Sequence, residues 1–229
     1  QPKEGAMAAT DAGVLRLVLI SDTHNMHRQL QVPDGDVLIH AGDFTLYGRG
    51  SHAADFNLWL GELPHPHKIV VLGNHECNMD WAETSRSLSS VITNAVCLVD
   101  SGTTVLRPSD SGKAGSGNSD NPPPLKIWGT NFFWPFPDGE PNYNLIPLDT
   151  DIVVAHGPAA GFVDGGSGCP ALARRVSELP SVKLVVSGHI HVAHGTAKGA
   201  GADGSGTFVN AAVAGQHAKL EYPAIVVDM

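Results

Sequence analysis

Cysteine is scarce in this chain of 229 residues, and its 3 copies are too scattered to build a framework. Cys77, Cys97 and Cys169 are odd in number and form no Cys-x-x-Cys pair, so we expect neither a set of disulfides nor a structural zinc site. A chain without these features is typical of the reducing cytosol, and we therefore expect a cytoplasmic protein.

Positive charge is also sparse. The chain has 14 Lys and Arg against 23 Asp and Glu, a formal net charge of −9, and no basic run. Proteins that bind long nucleic acids do so largely through a positive stripe, so we expect no such partner. A small phosphorylated substrate is still compatible with this charge, because bound metal ions would supply positive charge locally.

Long apolar runs are missing. The first apolar stretch, residues 14–20, contains Arg16 and is far shorter than the roughly 20 residues that a membrane-spanning helix needs. We expect no membrane partner and no signal peptide. Residues 1–7 are expected to be a remnant of the expression vector, with a native start near Met7. Residues 8–229 then predict a single domain, a length that can bury a substantial core.

Apolar stretches rich in β-branched residues alternate with amphipathic ones. The apolar stretches predict strands at 14–20, 36–39, 69–72, 125–129, 151–155, 183–186, 207–212 and 224–227. The amphipathic stretches predict helices at 51–63, 81–91 and 171–179. We expect an α/β fold with mixed sheets, because hairpin-like segments interrupt the alternation.

Three further segments lack a core pattern. Residues 96–99 and 103–106 predict short strands joined in a hairpin-like turn at Asp100-Ser101-Gly102. Residues 108–124 are dominated by Ser, Gly, Asp, Asn and Pro and predict a flexible loop insertion. Residues 195–206 are rich in glycine and predict another loop.

Polar clusters follow five of the apolar strands directly. Their sequences are Asp22-x-His24, Gly42-Asp43, Gly73-Asn74-His75-Glu76, Ala155-His156-Gly157 and Gly188-His189-x-His191. In α/β sheets, ligands gather at the carboxyl ends of strands, so we expect these side chains to lie together. Carboxylate and amide oxygens mixed with imidazoles suit Mn, Fe, Zn or Co ions. The sequence therefore predicts a metal site.

The five motifs, in this order, resemble those of the calcineurin-like metallophosphoesterase superfamily, which carries D-x-H, G-D, G-N-H-E or G-N-H-D, a lone His and G-H-x-H. The resemblance spans residues 14 to about 227. Additional stretches resemble the small metallophosphoesterase-domain-containing proteins first noticed in animal brain: His40-Ala41-Gly42-Asp43-Phe44-Thr45, Asn144-Leu145-Ile146-Pro147 and His156-Gly157-Pro158. The implied fold is a metallophosphatase-type sandwich of two mixed β-sheets flanked by helices.

The resemblance also implies a role for each motif residue. The first metal would be held by Asp22, His24 and His191. The second metal would be held by Asn74, His156 and His189, and Asp43 would bridge the two. The implied cofactors are two metal ions. Mn²⁺ is the favoured metal, and an Fe/Mn pair, Zn²⁺ or Co²⁺ are the alternatives. His75 would stay off the metals and act as general acid toward the leaving oxygen.

The implied reaction is dinuclear metal-dependent hydrolysis of a phosphoester by a metal-bridging hydroxide. Two dications, less two carboxylates and one hydroxide, leave about one positive charge, which suits a phosphodiester monoanion. The subgroup that the chain resembles suggests phosphodiesters such as cyclic nucleotides, and because this charge count fits them we favour these substrates. The expected partner is then a small phosphoester such as a nucleotide. The alternatives are a phosphomonoesterase or protein phosphatase, or a metal- and nucleotide-binding scaffold with vestigial activity. The oligomeric state is left open.

Other residues near the motifs are candidates for binding substrate. His27 and His194 follow ligand clusters closely, and Trp134 lies in an aromatic loop whose rings could stack on a base. Each of the three could instead be structural. We expect structural roles for His40 and Glu76. Four other histidines are expected at the surface or in loops: His52, His65, His67 and His217.

Overall fold

The computed structural model describes residues 14–107, 123–132, 142–215, 217 and 219–229. The strands of this part are β1 (Arg16–Ile20), β2 (Val37–His40), β3 (His67–Val70), β4 (Val96–Cys97), β5 (Ser101–Val105), β6 (Leu125–Gly129), β7 (Ile152–Val154), β8 (Leu184–Ser187), β9 (Gly195–Ala200), β10 (Gly206–Asn210) and β11 (Ile225–Asp228). The helices are α1 (Gly50–Glu62), α2 (Ser85–Val91) and α3 (Pro170–Ser177).

The strands form two mixed sheets. The first has the order β11-β1-β2-β3-β4, in which β1 to β4 run parallel and β11 is antiparallel to β1. The second has the order β5-β6-β7-β8-β10-β9, with β6, β7, β8 and β10 parallel and the two edge strands antiparallel. This arrangement confirms the predicted sandwich of two mixed sheets flanked by helices.

The main hydrophobic core lies between the sheets. Leu17 and Leu19 of β1 face it, together with Ile152 and Val154 of β7. The alternate residues of β1, among them Val18, face outward and pack in a second cluster. Both faces of such parallel strands are buried, which explains why their sequences are unbroken apolar runs rather than alternating ones.

Helices cover the outer face of each sheet. Phe56 and Leu60 of α1 are fully buried against the first sheet. Leu172 and Val176 of α3 lie one helical turn apart and pack on the second sheet. Truncating a buried leucine of this kind to alanine costs about 2–5 kcal/mol, so these faces contribute substantially to holding the sheets in place.

The predicted hairpin over residues 96–106 is wrong. β4 pairs with β3 in the first sheet, whereas β5 pairs with β6 in the second. The chain passes between the sheets at Asp100, whose φ is 46°. A tight turn has the same local sequence whether its arms pair with each other or with distant strands, so the sequence signal could not separate the two.

The prediction of a loop over residues 195–206 is wrong in its first half. Gly195–Ala200 forms the edge strand β9 and pairs antiparallel with β10. Glycine weakens the sequence signal for a strand but does not prevent main-chain pairing at an edge. The turn between the two strands contains Gly201 and Gly204, both with positive φ.

Two other expectations are touched only partly by the described residues. Most of the predicted 108–124 insertion, residues 108–122, lies outside them. In the part of the chain that the structure describes, no helix combines the length and apolar character that crossing a bilayer requires.

Candidate active site

The five polar clusters lie directly after five parallel strands. These strands end at Ile20, His40, Val70, Val154 and Ser187. The two sheets are joined at this edge, because Ser21 forms a parallel bridge with Ala212 and its carbonyl accepts the Val213 N–H at 3.0 Å. The clusters from both sheets therefore meet in one place, as the motif pattern predicted.

The backbone is strained where it delivers these side chains. Four predicted ligands have positive φ: Asp22 at 58°, His24 at 42°, Asp43 at 55° and His189 at 65°. Such conformations cost about 1–3 kcal/mol each for residues other than glycine, and they persist where surrounding contacts fix them. Their concentration at one edge of the sheets is typical of a functional site.

Two motif glycines allow the loops to approach one another closely. A Cβ atom at Gly73 would collide with the carboxylate and backbone nitrogen of Asp43. A Cβ atom at Gly188 would collide with the side chains of Ser21 and Asp22. Glycine is thus required at these positions by packing between the clusters, which explains its place in the motifs.

Three overlapping groups of side chains present donor atoms suited to a cation: two consist of predicted ligands, and the third joins His24 and Asp43 to His75. Asp22, His24 and His191 form one group, in which His191 Nε2 lies 3.3 Å from Asp22 Oδ1. Asp43, His156 and His189 form the other, in which His156 Nε2 lies 3.2 Å from Asp43 Oδ2.

Asn74 joins the second group through its side-chain oxygen, which lies 3.2 Å from His156 Nε2. The two groups are adjacent, because His156 Nε2 is also 4.0 Å from Asp22 Oδ1. All seven predicted metal ligands are therefore brought together, and we refer to them as the seven-residue cluster: Asp22, His24, Asp43, Asn74, His156, His189 and His191.

Main-chain carbonyls fix the tautomers of three imidazoles in this cluster. The Nδ1 contacts are His24 to Thr45 O at 3.2 Å, His156 to Ala41 O at 2.7 Å and His191 to Gly215 O at 3.1 Å. A carbonyl oxygen can only accept, so each Nδ1 must carry the hydrogen. In the neutral ring, Nε2 then holds a lone pair directed into the cluster.

Acceptor atoms consequently face one another. The Nε2 atoms of His24 and His191 are 3.2 Å apart. Asp22 Oδ1 is buried and has no hydrogen-bond partner. Lone pairs at these distances repel unless a proton or a cation lies between them. Imidazole, carboxylate and amide donors with carbonyl-bound Nδ1 atoms are the arrangement that borderline transition metals favour, so these residues fit a metal centre.

The pKa values of Asp22 and His156 are shifted in the directions expected where hydrogen-bond acceptors outnumber donors. Burial raises the pKa of the Asp22 carboxyl, but the imidazoles of His156 and His191 outweigh it and hold the pKa below its usual range. Burial lowers the pKa of His156, but Asp43 and Asp22 outweigh burial and raise it to about 9. Without a cation, a proton on His156 balances the carboxylates, and a metal ion would displace it.

His75 lies beside the cluster with a different set of contacts. Its Nδ1 donates to the Leu46 carbonyl, and its Nε2 is 3.7 Å from Asp43 Oδ2. Its side chain is 29 % exposed, whereas that of His156 is fully buried. Because a carbonyl oxygen can only accept, Nδ1 of His75 carries a hydrogen, as in the three imidazoles above.

Glu76 connects the loops after β2 and β3. Its buried carboxylate accepts hydrogen bonds from the main-chain nitrogens of Asp43, Gly73 and Thr45 at 2.9–3.0 Å. It also accepts from the Thr45 hydroxyl at 2.6 Å. Burial, and next the charge of Asp43, raises the pKa of Glu76 to about 7 against these hydrogen bonds. The contacts support the structural role expected for this residue.

His40 is enclosed beneath the cluster. Its Nδ1 accepts the Gly42 N–H at 3.2 Å, so its Nε2 carries the hydrogen and donates to Thr23 Oγ1 at 3.0 Å. Burial lowers the pKa of His40 to about 3, which keeps the ring neutral. These contacts support the structural role expected from the sequence.

The candidates for substrate binding are placed differently. His27 is 1 % exposed, lies against Phe56 and Trp59, and its Nε2 is 3.1 Å from Asp55 Oδ2. This placement favours a structural role, and contact with substrate stays a prediction. Trp134 lies outside the described residues.

His194 is half-buried. Its Nδ1 is 2.8 Å from Ala212 O, and its ring stacks on Tyr222 with the ring centroids 4.6 Å apart. It follows the short 3₁₀ turn His191–Ala193, and its contact with substrate also stays a prediction. His65, expected at the surface or in a loop, lies in the loop before β3 but is only 1 % exposed, with its Nε2 2.9 Å from the Pro33 carbonyl.

Several groups at the site could not be singled out from the sequence. The carbonyls that hold the histidines belong to ordinary residues, among them Ala41 and Leu46, and main-chain atoms leave no sequence signal. The ring of Phe132 lies 5.4 Å from the ring of His156 and 5.6 Å from that of His189. The sequence indicated an aromatic loop whose rings could stack on a base, but it did not indicate which ring would lie beside the site.

The fold and the donor atoms together define a two-sheet α/β protein with a candidate metal centre. Residues 15–193 match the family model described as Calcineurin-like phosphoesterase, so the chain belongs to the calcineurin-like phosphoesterase family. Members of this family bind a dinuclear metal centre and hydrolyse phosphoesters, which implies a small phosphoester substrate here.

Similar proteins support the family and the subgroup. The chain is 35% identical to human Metallophosphoesterase domain-containing protein 1, over 95% of this chain and 72% of that protein. It is 32% identical to UPF0046 protein K07C11.7 of Caenorhabditis elegans, over 86% of this chain and 69% of that protein.

A solved structure supports the fold. The crystal structure of TT1561 of Thermus thermophilus has a TM-score of 0.56 and 16% identity, covering 86% of this chain and 88% of that one. At this identity the similarity bears on the fold alone, which it shares with the present structure.

Proposed function

We propose that this protein hydrolyses phosphodiesters, with cyclic nucleotides as favoured substrates, at a dinuclear centre held by the seven-residue cluster. The observation that carries this proposal is the mutual approach of acceptor atoms. His24 and His191 face each other through Nε2 atoms at 3.2 Å, and His156 Nε2 faces Asn74 Oδ1 and Asp43 Oδ2. Such an arrangement is repulsive unless a proton or a cation lies between the acceptors, and these types of donor atom favour a metal ion.

The division into two metal positions follows the two groups of donor atoms. Asp22, His24 and His191 would hold the first ion. Asn74, His156 and His189 would hold the second. Asp43 is suited to bridge them, because it contributes to a group with His24 and to another with His156. Ions held by these residues would supply Lewis acidity toward the phosphate oxygens and would lower the pKa of a water molecule enough for it to attack at neutral pH.

His75 is the proposed general acid. The Leu46 carbonyl holds its Nδ1, which leaves Nε2 as the atom that gives a proton to the leaving oxygen. The ring packs edge-on against His24 at a centroid distance of 4.9 Å, which fixes its orientation next to the first metal position. Its partial exposure allows a substrate oxygen to reach it. A role as a third ligand beside His24 and Asp43 is the competing assignment.

The charge of the cluster supports a diester over a monoester. Asp22 and Asp43 are the carboxylates in the candidate metal groups of the described residues. Two dications with two carboxylates and a deprotonated water retain about one positive charge, which matches a phosphodiester monoanion better than a phosphomonoester dianion. Phe132, against the rings of His156 and His189, offers an apolar face for a ring of the substrate.

Turnover on a panel of substrates tests the proposal. The metal-stripped protein is reloaded with Mn²⁺ and offered bis-nitrophenyl phosphate, nitrophenyl phosphate, and 2′,3′- and 3′,5′-cyclic nucleotides. We expect diester turnover well above monoester turnover. A His156→Ala variant should be inactive on all of them, while His67→Ala, which removes an exposed histidine outside the site, should match the wild type.

The same panel separates the alternatives. Monoester turnover well above diester turnover would replace the proposal by a phosphomonoesterase or protein phosphatase. Absence of turnover on every substrate, with both metals bound, would indicate a scaffold with vestigial activity.

We also propose a cytoplasmic location. All three cysteines are free thiols, and burial raises the pKa of the Cys97 thiol to about 12. Thiols kept in this state are typical of proteins in a reducing compartment, which supports the proposal. Fractionation of cells with an antibody against the native protein tests it, and recovery in a membrane or secreted fraction would contradict it.

A further inference from the structure

The turn that carries His189 is strained. The Ile190 N–H donates to the Gly188 carbonyl at 2.7 Å, which closes a three-residue γ-turn around His189. The φ of His189 is 65°, so this is the γ-turn form with a positive φ at its centre, which is rare and unfavourable. Backbone strain of this kind costs about 1–3 kcal/mol and persists only if neighbouring contacts oppose its relaxation.

Two side chains hold this turn on either side of His189. On one side, the His189 N–H donates to Asp22 Oδ2 at 2.9 Å. On the other side, the Ile190 carbonyl accepts from Asn210 Nδ2 at 3.0 Å. Asp22 is itself a member of the seven-residue cluster, whereas Asn210 belongs to neither group of donor atoms and has no role assigned so far.

Asn210 is fully buried at the end of β10, and its side chain makes three hydrogen bonds. Besides the Ile190 carbonyl, its Nδ2 donates to the Val163 carbonyl at 3.1 Å. Its Oδ1 accepts the Ala212 N–H at 3.1 Å. The two hydrogens of the amide are thus used on two carbonyls, and replacing the group would leave buried acceptors unpaired.

The second carbonyl also belongs to a strained residue. Val163 has a φ of 45°, which is exceptional for a β-branched side chain. It lies in the glycine-rich loop after His156, where the Asp164 carboxylate accepts the main-chain N–H groups of Gly161, Gly166 and Gly168. The Asn210 amide therefore fixes two segments, the loop that follows His156 and the turn that contains His189. Both histidines are predicted ligands of the second metal.

We propose that Asn210 is a positioning residue for the second metal: by binding the carbonyls of Ile190 and Val163, it holds the strained turn that directs His189 into the centre. This inference rests on the dinuclear centre proposed above. It predicts an asymmetric effect, because Asn210 contacts the turn that carries His189 and the loop that follows His156, whereas the ring of His191 is anchored at the Gly215 carbonyl.

The test is a titration of the metal-stripped protein with Mn²⁺. Titration calorimetry measures the two binding constants, and electron paramagnetic resonance detects the signal of a coupled Mn²⁺ pair. The variants are Asn210→Asp, whose carboxyl can supply at most one donor for two carbonyls, and Asn210→Ala, which supplies none and adds no charge. Loss of outer hydrogen bonds of this kind weakens metal binding by about 10–100-fold. In both Asn210 variants we expect this loss in one of the two Mn²⁺ binding constants, that of the second metal position, and a smaller change in the other constant.

Asn57 provides a matched control. Its amide also joins two segments through three bonds, accepting from the N–H groups of Thr93 and Asn94 at 2.8 Å and donating to Thr93 Oγ1 at 3.0 Å, but it lies on α1. Asn57→Asp should leave both binding constants unchanged. At Mn²⁺ high enough to fill both positions, the coupled-pair signal should return in both Asn210 variants.

The outcomes separate this inference from the function on which it rests. Unchanged constants in folded Asn210 variants, or equal losses in both constants, would overturn the positioning role while leaving the dinuclear centre intact. A wild-type protein that binds fewer than two Mn²⁺ ions would overturn the dinuclear centre and this inference together. If Asn210→Ala does not fold, Asn210→Asp alone decides, because it preserves the shape of the side chain and the bond to Ala212.

Discussion

The Nε2 atoms of His24 and His191 lie 3.2 Å apart, and each ring donates its Nδ1–H to a main-chain carbonyl. Neither Nε2 can donate to the other while the rings are neutral. The contact is therefore unfavourable between neutral rings and favourable around a cation. This relationship makes the stability of the fold depend on metal, and it sets the first prediction.

Mn²⁺ should stabilise the protein. At a free concentration about 100 times the dissociation constant, each filled position contributes about 2.7 kcal/mol, which corresponds to a rise in Tm of roughly 5–10 °C for a chain of this length. Calorimetric melting with Mn²⁺ and with a chelator measures it. The His156→Ala variant, which lacks a proposed ligand of the second metal, should lose that position's share of the shift, and His67→Ala should keep the whole shift. An unchanged Tm for the wild type would contradict the account.

His75→Ala should lower turnover by about 10²–10⁴-fold because the leaving oxygen loses its proton donor. Both metals should stay bound, since the proposed ligands remain. The loss should shrink for nitrophenyl esters, whose leaving group departs without protonation, and be largest for a cyclic nucleotide. Metal analysis of the purified variant accompanies the kinetics. A variant that has lost one ion would show that His75 is a ligand instead.

Glu76→Gln should destabilise the fold by about 3 kcal/mol. The carboxylate accepts four hydrogen bonds, and an amide oriented either way presents its NH₂ group to some of these donors. Urea unfolding of the metal-stripped protein measures the change. Glu62→Gln removes an exposed carboxylate that pairs with Arg28 and should cost less than about 1 kcal/mol. Equal effects of the two substitutions would rule out the structural role of Glu76.

His40 should make stability depend on pH. Its pKa in the folded protein is lowered to about 3 by burial, from an ordinary value of 6.5. Between these values the unfolded chain binds a proton that the folded protein does not, so stability falls as pH decreases, by about 1.4 kcal/mol for each pH unit below 6.5. The contribution is fully present above pH 6.5.

Comparison with His40→Gln isolates this effect. A glutamine can accept from Gly42 and donate to Thr23 but cannot take up a proton, so its stability should fall less steeply between pH 6.5 and pH 5 than that of the wild type. Urea unfolding with a chelator present removes the pH dependence of metal binding. His67→Gln should follow the wild-type slope. Identical slopes for His40→Gln and wild type would refute the assignment of a neutral, buried ring.

The sequence was most informative where chemistry and periodicity coincide. Asp22, Asp43 and His156 each follow an apolar strand, and parallel strands deliver such residues to one edge of a sheet whatever the details of the loops. The fold class and the assembly of the seven-residue cluster were therefore predictable. Five motifs in a fixed order carried the family resemblance as well.

Long-range pairing was much less predictable. The turn at Asp100 has the local sequence of a hairpin, yet the strands on its two sides pair in different sheets. β9 is rich in glycine and is defined by its partner β10 rather than by its own sequence. Anchors such as the Leu46 carbonyl, and the amide of Asn210, act through main-chain contacts that only the folded chain brings together.

The location of the bound metals tests the central claim most directly. Crystals of the Mn²⁺-loaded protein, measured at the manganese absorption edge, should show two anomalous peaks about 3.5–4 Å apart with the Asp43 carboxylate between them. The first peak should lie among Asp22, His24 and His191, and the second among Asn74, His156 and His189, with His75 Nε2 bound to neither. A single peak, or two peaks with His75 coordinated, would contradict the account.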